Sequence, residues 1–227
     1  MTATQKIFKY QIWHLFSLAF LILALKLYLS NKPTLLDGML WGINTSSWFW
    51  LALAAPIIHQ VYVWLVWRFE LHLRVFSNKL GTQQAFNLYA LGFSFLFLSR
   101  LVTITLLAIS SKNTLHLNPV IAYVLAALIT PLVIYLFYSV KKYFTIERAY
   151  GIDHFDKNYN QPFVKKGIFK YTNNGMYVFG LLVLYLPGLL FLSEVALLVA
   201  LFNHVYIWVH YYFTERPDML VIYGNAP

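Results

Sequence analysis

The sequence predicts an all-α integral membrane protein of about six transmembrane helices, the last two paired as a helical hairpin. Three observations carry that prediction. Of the 227 residues 60% are hydrophobic and only 11% charged, roughly half the charge fraction of a soluble domain. Several stretches reach the roughly 20 apolar residues that a helix needs to cross a bilayer. No stretch alternates in polarity over about ten residues, as the strands of a transmembrane β-barrel do. Helices then satisfy every buried peptide group within the membrane.

The first span covers about 10–30 and the second about 47–67. The first is too long for a signal peptide, lacks a small-residue cleavage site and is followed by further spans. Between the two, NKPTLLDGMLWGINTS (31–46) carries the Pro, Gly and Asn of a loop. The third span falls near 84–109 and the fourth near 119–140, with Pro56 and Pro131 placed to kink the second and fourth. The last two, 176–192 and 195–213, are separated only by Ser193 and Glu194. Between the fourth and fifth lies 141–175, too polar to cross a membrane and too aromatic for a disordered tether. A loop of that length is usually functional.

Lysine and arginine placement orients the bundle. With the N-terminus cytoplasmic, that side holds Lys6, Lys9, Arg68, Arg74, Lys79, the basic residues of 141–170 and Arg216. The other side holds Lys26, Lys32 and Lys112. Both termini and the long loop are therefore expected in the cytoplasm, in a multi-pass protein of the endoplasmic reticulum or a bacterial inner membrane. The net charge of +9 follows from this topology and from contact with anionic lipid headgroups. Scattered over membrane-proximal loops, it does not suit nucleic acid. The absence of cysteine excludes disulfides, thiolate chemistry and cysteine-ligated metals.

Polar residues inside spans are costly and have a reason. His14, Lys26, His59 and Arg100 fall within or near the helices. Arg100 faces a partner, a cavity or a lipid phosphate. On the last helix Asn203, Ile207, His210 and Thr214 line one face, and His204, Trp208, Tyr211 and Glu215 the next. Such a stripe looks inward, onto a polar cavity. Two histidines without a carboxylate pair at ligand spacing do not make a metal site, and none is expected. Gly180, Leu184 and Gly188 stack on one line, where small residues let another helix approach.

Residues 166–180, KGIFKYTNNGMYVFG, and 210–224, HYYFTERPDMLVIYG, resemble the membrane phospholipid methyltransferases. That family belongs to the wider group containing isoprenylcysteine carboxyl methyltransferase. The resemblance covers roughly the last 80 residues. It implies a cofactor pocket for S-adenosyl-L-methionine at the cytoplasmic end of the last helices. It also divides the chain into N-terminal helices, 1–140, and a methyltransferase core, 141–227. The cofactor-binding positions it implies are Tyr171, Asn173, Asn174, Gly175, Met176, Tyr177, Gly180, Tyr211, Glu215, Arg216, Pro217 and Asp218. Asn-Asn-Gly stands where the carboxyl methyltransferases carry Arg-His-Pro, and with AYGIDHFD (149–156) it resembles the phosphatidylethanolamine-methylating branch.

The chemistry agrees with the resemblance. A carboxylate such as Glu215 accepts hydrogen bonds from a ribose or an amine, and Tyr177 and Tyr211 offer aromatic faces to an adenine or a sulfonium. An amine acceptor must lose a proton, for which His210, Asp153 and His154 are the candidate acceptors. Arg100, Lys166 and Lys170 are the candidates for the lipid phosphate, and the bilayer and its phospholipid are the expected partners. Three alternatives remain open: another amphiphilic acceptor such as a prenylcysteine carboxylate, a non-catalytic lipid-binding scaffold, and a membrane sterol reductase.

Overall fold

The computed structural model describes residues 2–159 and 161–224. Among the described residues five helices are long and apolar enough to cross a membrane: Ala3–Ser30, Thr45–Leu73, Thr82–Ser110, Pro119–Phe144 and Glu194–Tyr223. Within them we number α1 (Ala3–Ile7), α2 (Gln11–Ser30), α3 (Thr45–Leu73), then α4 (Ser77–Leu80) between α3 and α5 (Thr82–Ser110), and α6 (Pro119–Ser139). The later elements are α7 (Ile146–Ala149), α8 (Gly175–Phe179), α9 (Tyr185–Leu190), α10 (Glu194–His210) and α11 (Arg216–Tyr223). Two strands of two residues each, Met39–Leu40 and Ile43–Asn44, pair antiparallel in the α2–α3 connector.

Local chemistry sets the ends of these helices. Asn44 caps α3 by accepting from Ser47 N at 2.7 Å. Asn118 caps α6 by accepting from Val120 N at 2.8 Å, with Pro119 at the first helical position, where its missing N–H costs nothing. Ser193 caps α10 through Ala196 N and is itself bonded to Ser111 Oγ at 2.7 Å.

Where the sequence predicts a fifth span at 176–192, the chain is shorter and broken. Gly175–Leu190 consists of α8, a 3-10 stretch over Gly180–Leu184, and α9. Sixteen residues of α-helix reach only about 24 Å, short of the roughly 30 Å hydrocarbon core. Pro187 inside the second half lacks an N–H for Val183 O, which discourages one continuous helix. The segment packs against α6 on one side and α10 on the other.

The composition of this bundle is turned outward. Phe16, Phe20, Leu91, Phe95 and Ile134 are all exposed large apolar residues. The interior is built instead from small residues and polar groups. Lipid tails are as apolar as leucine, so helices associate in a membrane through close packing and hydrogen bonds. Ala52, Ala108, Ala196 and Ala200 are accordingly buried between α3, α5 and α10, with Leu107, Val195, Val199 and Tyr206 filling the space around them.

A second cluster positions the long loop. Phe155 is fully buried against Phe86 and Tyr89 of α5, beside Val63 and Trp67 of α3. Farther along, Ile168 and Phe169 pack on Leu136 of α6, and Ser139 Oγ accepts from Ile168 N at 3.1 Å. The loop thus folds back over the helix ends.

Candidate active site

The site begins at Gly151, whose φ of +81° suits glycine. A Cβ there would lie 2.5 Å from the Trp67 ring. This close approach lays the next three residues on α3, where His154 stacks on Trp67 with centroids 4.1 Å apart and planes 19° from parallel. Asp153 Oδ1 accepts from His154 Nδ1 at 3.0 Å, and Asp153 Oδ2 accepts from Tyr223 OH at 2.9 Å. On the far side of the imidazole, Asp218 Oδ2 is 3.7 Å from Nε2. Asp218 in turn accepts from Arg68 Nε at 3.0 Å.

The groups form a buried line of alternating charge. Burial alone lowers the His154 pKa, but the bond to Asp153 and the approach of Asp218 outweigh it and raise it to about 9. Burial alone raises Asp153, and the bonds from His154 and Tyr223 reverse that and hold it below the ordinary range. At neutral pH Asp153 is therefore a carboxylate and His154 an imidazolium, and the imidazolium faces Asp218 and, beyond it, Arg68.

The second half of the site is a π turn, Tyr211–Glu215, between α10 and α11. Pro217 explains one of its unmet bonds. In a continuous helix residue 217 would donate to the carbonyl of Phe213, and proline has no N–H to give. Gln11 Nε2 and Arg68 Nη2 take that place, each 3.0 Å from Phe213 O. Arg68 Nη1 also donates to the carbonyls of Ile7 and Lys9, and Nη2 reaches Thr214 O at 3.4 Å. All five guanidinium N–H groups have acceptors, and the side chain is 1% exposed. One arginine of α3 thus joins the N-terminal segment, the π turn and α11.

Between these two halves lies a cavity holding about 720 Å³ of empty space, its open mouth included. Trp67, Gly151 and Asp153 form one wall, Glu215, Met219 and Tyr223 another, and Asn173, Asn174, Met176 and Tyr177 a third. The Tyr177 hydroxyl donates to Glu215 Oε2, and its ring meets Trp208 and Tyr211 edge to face at 5.9 Å. Arg148 closes the rim: it donates to Pro162 O at 2.8 Å and Gln161 O at 3.3 Å, with its guanidinium over the rings of Phe144 and Phe163.

Of the positions singled out in the sequence, Asp153, Asn173, Asn174, Met176, Tyr177 and Glu215 come together on this cavity. His154, Tyr211 and Asp218 are buried behind it, and Gly175 packs on Ile168 and Phe169. His210 is buried 5.9 Å from the Trp67 ring, outside the lining. Gly180 faces Leu136, where it serves packing. Tyr171 is 76% exposed, and Arg216, Lys166 and Lys170 are exposed too. Arg100 is not brought to the cavity. It is buried between α3 and α5, its Nη2 3.5 Å from Pro56 O, 18 residues beyond the end of α5 nearest the site.

Sequence reasoning missed Trp67, Arg68, Gln11, Arg148 and Tyr223. Arg68 was legible only as a topology charge, because its partners are about 60 and 150 residues away in the chain.

The residues present fit a polar, partly cationic ligand with hydrogen-bonding edges. Two acidic side chains, Asp153 and Glu215, border the space. The side-chain amides of Asn173 and Asn174 make no hydrogen bond among the described residues, which leaves their donors and acceptors spare. Residues 117–226 match the model of the phospholipid methyltransferase family. No curated protein and no solved structure gave a significant match. Within the cavity lining, Trp67 alone lies outside the matched segment.

Proposed function

We propose that this chain, a member of the phospholipid methyltransferase family through residues 117–226, N-methylates the headgroup of phosphatidylethanolamine towards phosphatidylcholine. The methyl donor in this reading is S-adenosyl-L-methionine. The observation that carries it is the convergence of Glu215, Tyr177, Asn173, Asn174 and Asp153 on one cavity inside the family segment.

When bound, S-adenosyl-L-methionine supplies an electrophilic methyl group for in-line attack by an amine. Glu215, held by the Tyr177 hydroxyl, accepts hydrogen bonds from the donor's amine or ribose, and the two asparagines take its polar edges. Aromatic groups on the wall, Tyr177 and Trp67, favour a cationic sulfonium. Ionised Asp153 draws in the lipid's ammonium and orients it. That ammonium, with a pKa of about 10 by analogy with lysine, gives its proton to water at the open mouth before attack. His154 is assigned to positioning: already an imidazolium at neutral pH, it holds Asp153 and Asp218 and does not take up a proton. Holding donor and amine in register supplies much of the rate.

Lys165, Lys166 and Lys170 are interspersed with the rim residues Val164 and Phe169 and are exposed, a placement suited to the lipid phosphate. Arg68, Arg74 and the basic residues of 141–170 lie at the cavity's end of the bundle, whereas Lys32 lies beside Glu194 at the other. By the positive-inside bias the cavity and both termini face the cytoplasm.

The test is methyl transfer. Purified protein in phosphatidylethanolamine liposomes receives methyl-labelled S-adenosyl-L-methionine, and the lipids are separated by chromatography. Label in mono-, di- or trimethylated lipid is the expected result. Binding of the donor with no labelled phospholipid moves the acceptor to another amphiphile. With no binding either, the enzymatic reading fails.

A further inference from the structure

At the end of the bundle opposite the candidate active site, a second groove opens between α2, α6, α9 and α10. It holds about 1200 Å³ of empty space, counting its open side. Its walls are aliphatic: Leu125 and Ile129 of α6 face Leu197, Leu198 and Leu201 of α10. Leu125 and Leu201 are 41% and 51% exposed, so the groove is open sideways, where hydrocarbon would be in a bilayer. From Glu194 to Leu201 the wall descends seven residues, about 10 Å along the helix.

Charge is confined to one end. Lys32 is paired with Glu194, whose Oε1 also accepts from Tyr28 OH, and exposed His116 stands at the same rim. Glu194 Oε2 has no hydrogen bond among the described residues, and the Glu194 side chain is 11% exposed against 45% for Lys32. The Lys32–Glu194 pair sums to zero, so a net-anionic headgroup meets a carboxylate as well as an ammonium there. A zwitterion matches both. The aromatic ring at that end, Tyr28, is covered by Lys32 Nζ at 5.1 Å from its centroid. A quaternary ammonium has no N–H to give to Glu194 Oε2, whereas a primary ammonium donates hydrogen bonds to a carboxylate.

We propose that this groove is a second lipid site, for a zwitterionic phospholipid headed by a primary ammonium. The ammonium sits on Glu194 Oε2, the phosphate on Lys32 and His116, and an acyl chain lies along Leu197, Leu198 and Leu201. The site belongs to the leaflet opposite the catalytic cavity and is independent of the methylation reading.

The test is photocrosslinking with full-length protein in phosphatidylcholine liposomes that contain a trace of phosphatidylethanolamine bearing a diazirine on its acyl chain. Crosslinks are mapped by peptide mass spectrometry. The expected result is labelling of the 115–129 and 197–201 segments, displaced by excess phosphatidylethanolamine but not by phosphatidylglycerol. Glu194→Gln should raise the competing concentration roughly tenfold, the size of one lost charge-assisted hydrogen bond. Leu201→Trp, which fills the groove from an exposed position, should abolish labelling there while leaving Tm unchanged. Equal displacement by phosphatidylglycerol, or labelling indifferent to Leu201→Trp, would reduce the groove to ordinary boundary lipid and overturn the proposal.

Discussion

Arg68 Nε lies 3.0 Å from Asp218 Oδ1, with the two side chains 1% and 3% exposed. This pair couples α3 to the short helix that closes the cavity. It works because nothing in it is left over: the other guanidinium N–H groups meet the carbonyls of Ile7, Lys9, Phe213 and Thr214. Replacing Arg68 with methionine would strand a buried carboxylate and several carbonyls. A loss of about 3–5 kcal/mol is expected, read as a large fall in Tm in detergent. Arg68→Lys should recover little of it, since an ammonium has three donors and no planar fork. Near-complete recovery with lysine would mean that charge alone matters there.

His154 links stability to pH. Its folded pKa of about 9 lies above the ordinary 6.5, so folding favours the protonated form. The stabilisation is fully present below about pH 6.5 and is lost as pH rises through about 9. Its size is on the order of 3 kcal/mol. The Tm of the wild type should therefore fall between pH 6.5 and 9, and His154→Gln should flatten that segment of the profile. A profile with the same slope in both proteins would assign the effect to other groups.

Glu215 tests the site without testing the fold. Its carboxyl group borders the cavity and accepts from Tyr177. Glu215→Gln keeps the shape and replaces a carboxyl oxygen with an amide nitrogen. Affinity for S-adenosyl-L-methionine, measured by calorimetry, should drop roughly tenfold with little change in Tm, as for the loss of one buried hydrogen bond. Unchanged affinity would displace the donor from this wall.

Much of this was legible in the sequence, in proportion to how local the signal is. The apolar runs of α3, α5 and α6 stand out in the sequence. The run at 176–192 does not reveal its breaks, because apolarity reports burial or lipid contact, not continuity. The breaks at Gly180 and around Pro187 are set by packing between α6 and α10. In the site, Asn173, Asn174, Tyr177 and Glu215 stand out through family-like motifs. Trp67 and Arg68 do not, since their roles exist only once the long loop and α11 have come to rest on α3. The cost of an arginine within a span marks Arg100 as having a partner, a cavity or a lipid phosphate to face, and its depth along α5 keeps it away from this cavity.

Gly151 should tolerate nothing larger. With φ at +81° and a Cβ 2.5 Å from Trp67, even alanine strains the backbone and pushes the ring that supports His154. Gly151→Ala is expected to cost about 1–3 kcal/mol and to reduce methyl transfer more than donor affinity, because Asp153 moves with the turn. A variant with wild-type turnover would show that Asp153 does not orient the acceptor.

Pro217 separates the shape of the site from its stability. Its missing N–H leaves Phe213 O to Arg68 and Gln11, and the π turn over Tyr211–Glu215 sits at that vacancy. Pro217→Ala restores the donor, and alanine is a far better helix former than proline in a helix interior. The mutation therefore favours an ordinary α-helical turn, which changes the angular position of Glu215 relative to the cavity. Affinity for S-adenosyl-L-methionine should fall while Tm holds or rises, a combination that simple destabilisation does not produce. If affinity and Tm fall together, proline is needed for folding itself. If neither changes, the carbonyl contacts of Arg68 and Gln11 hold the π turn without help from Pro217.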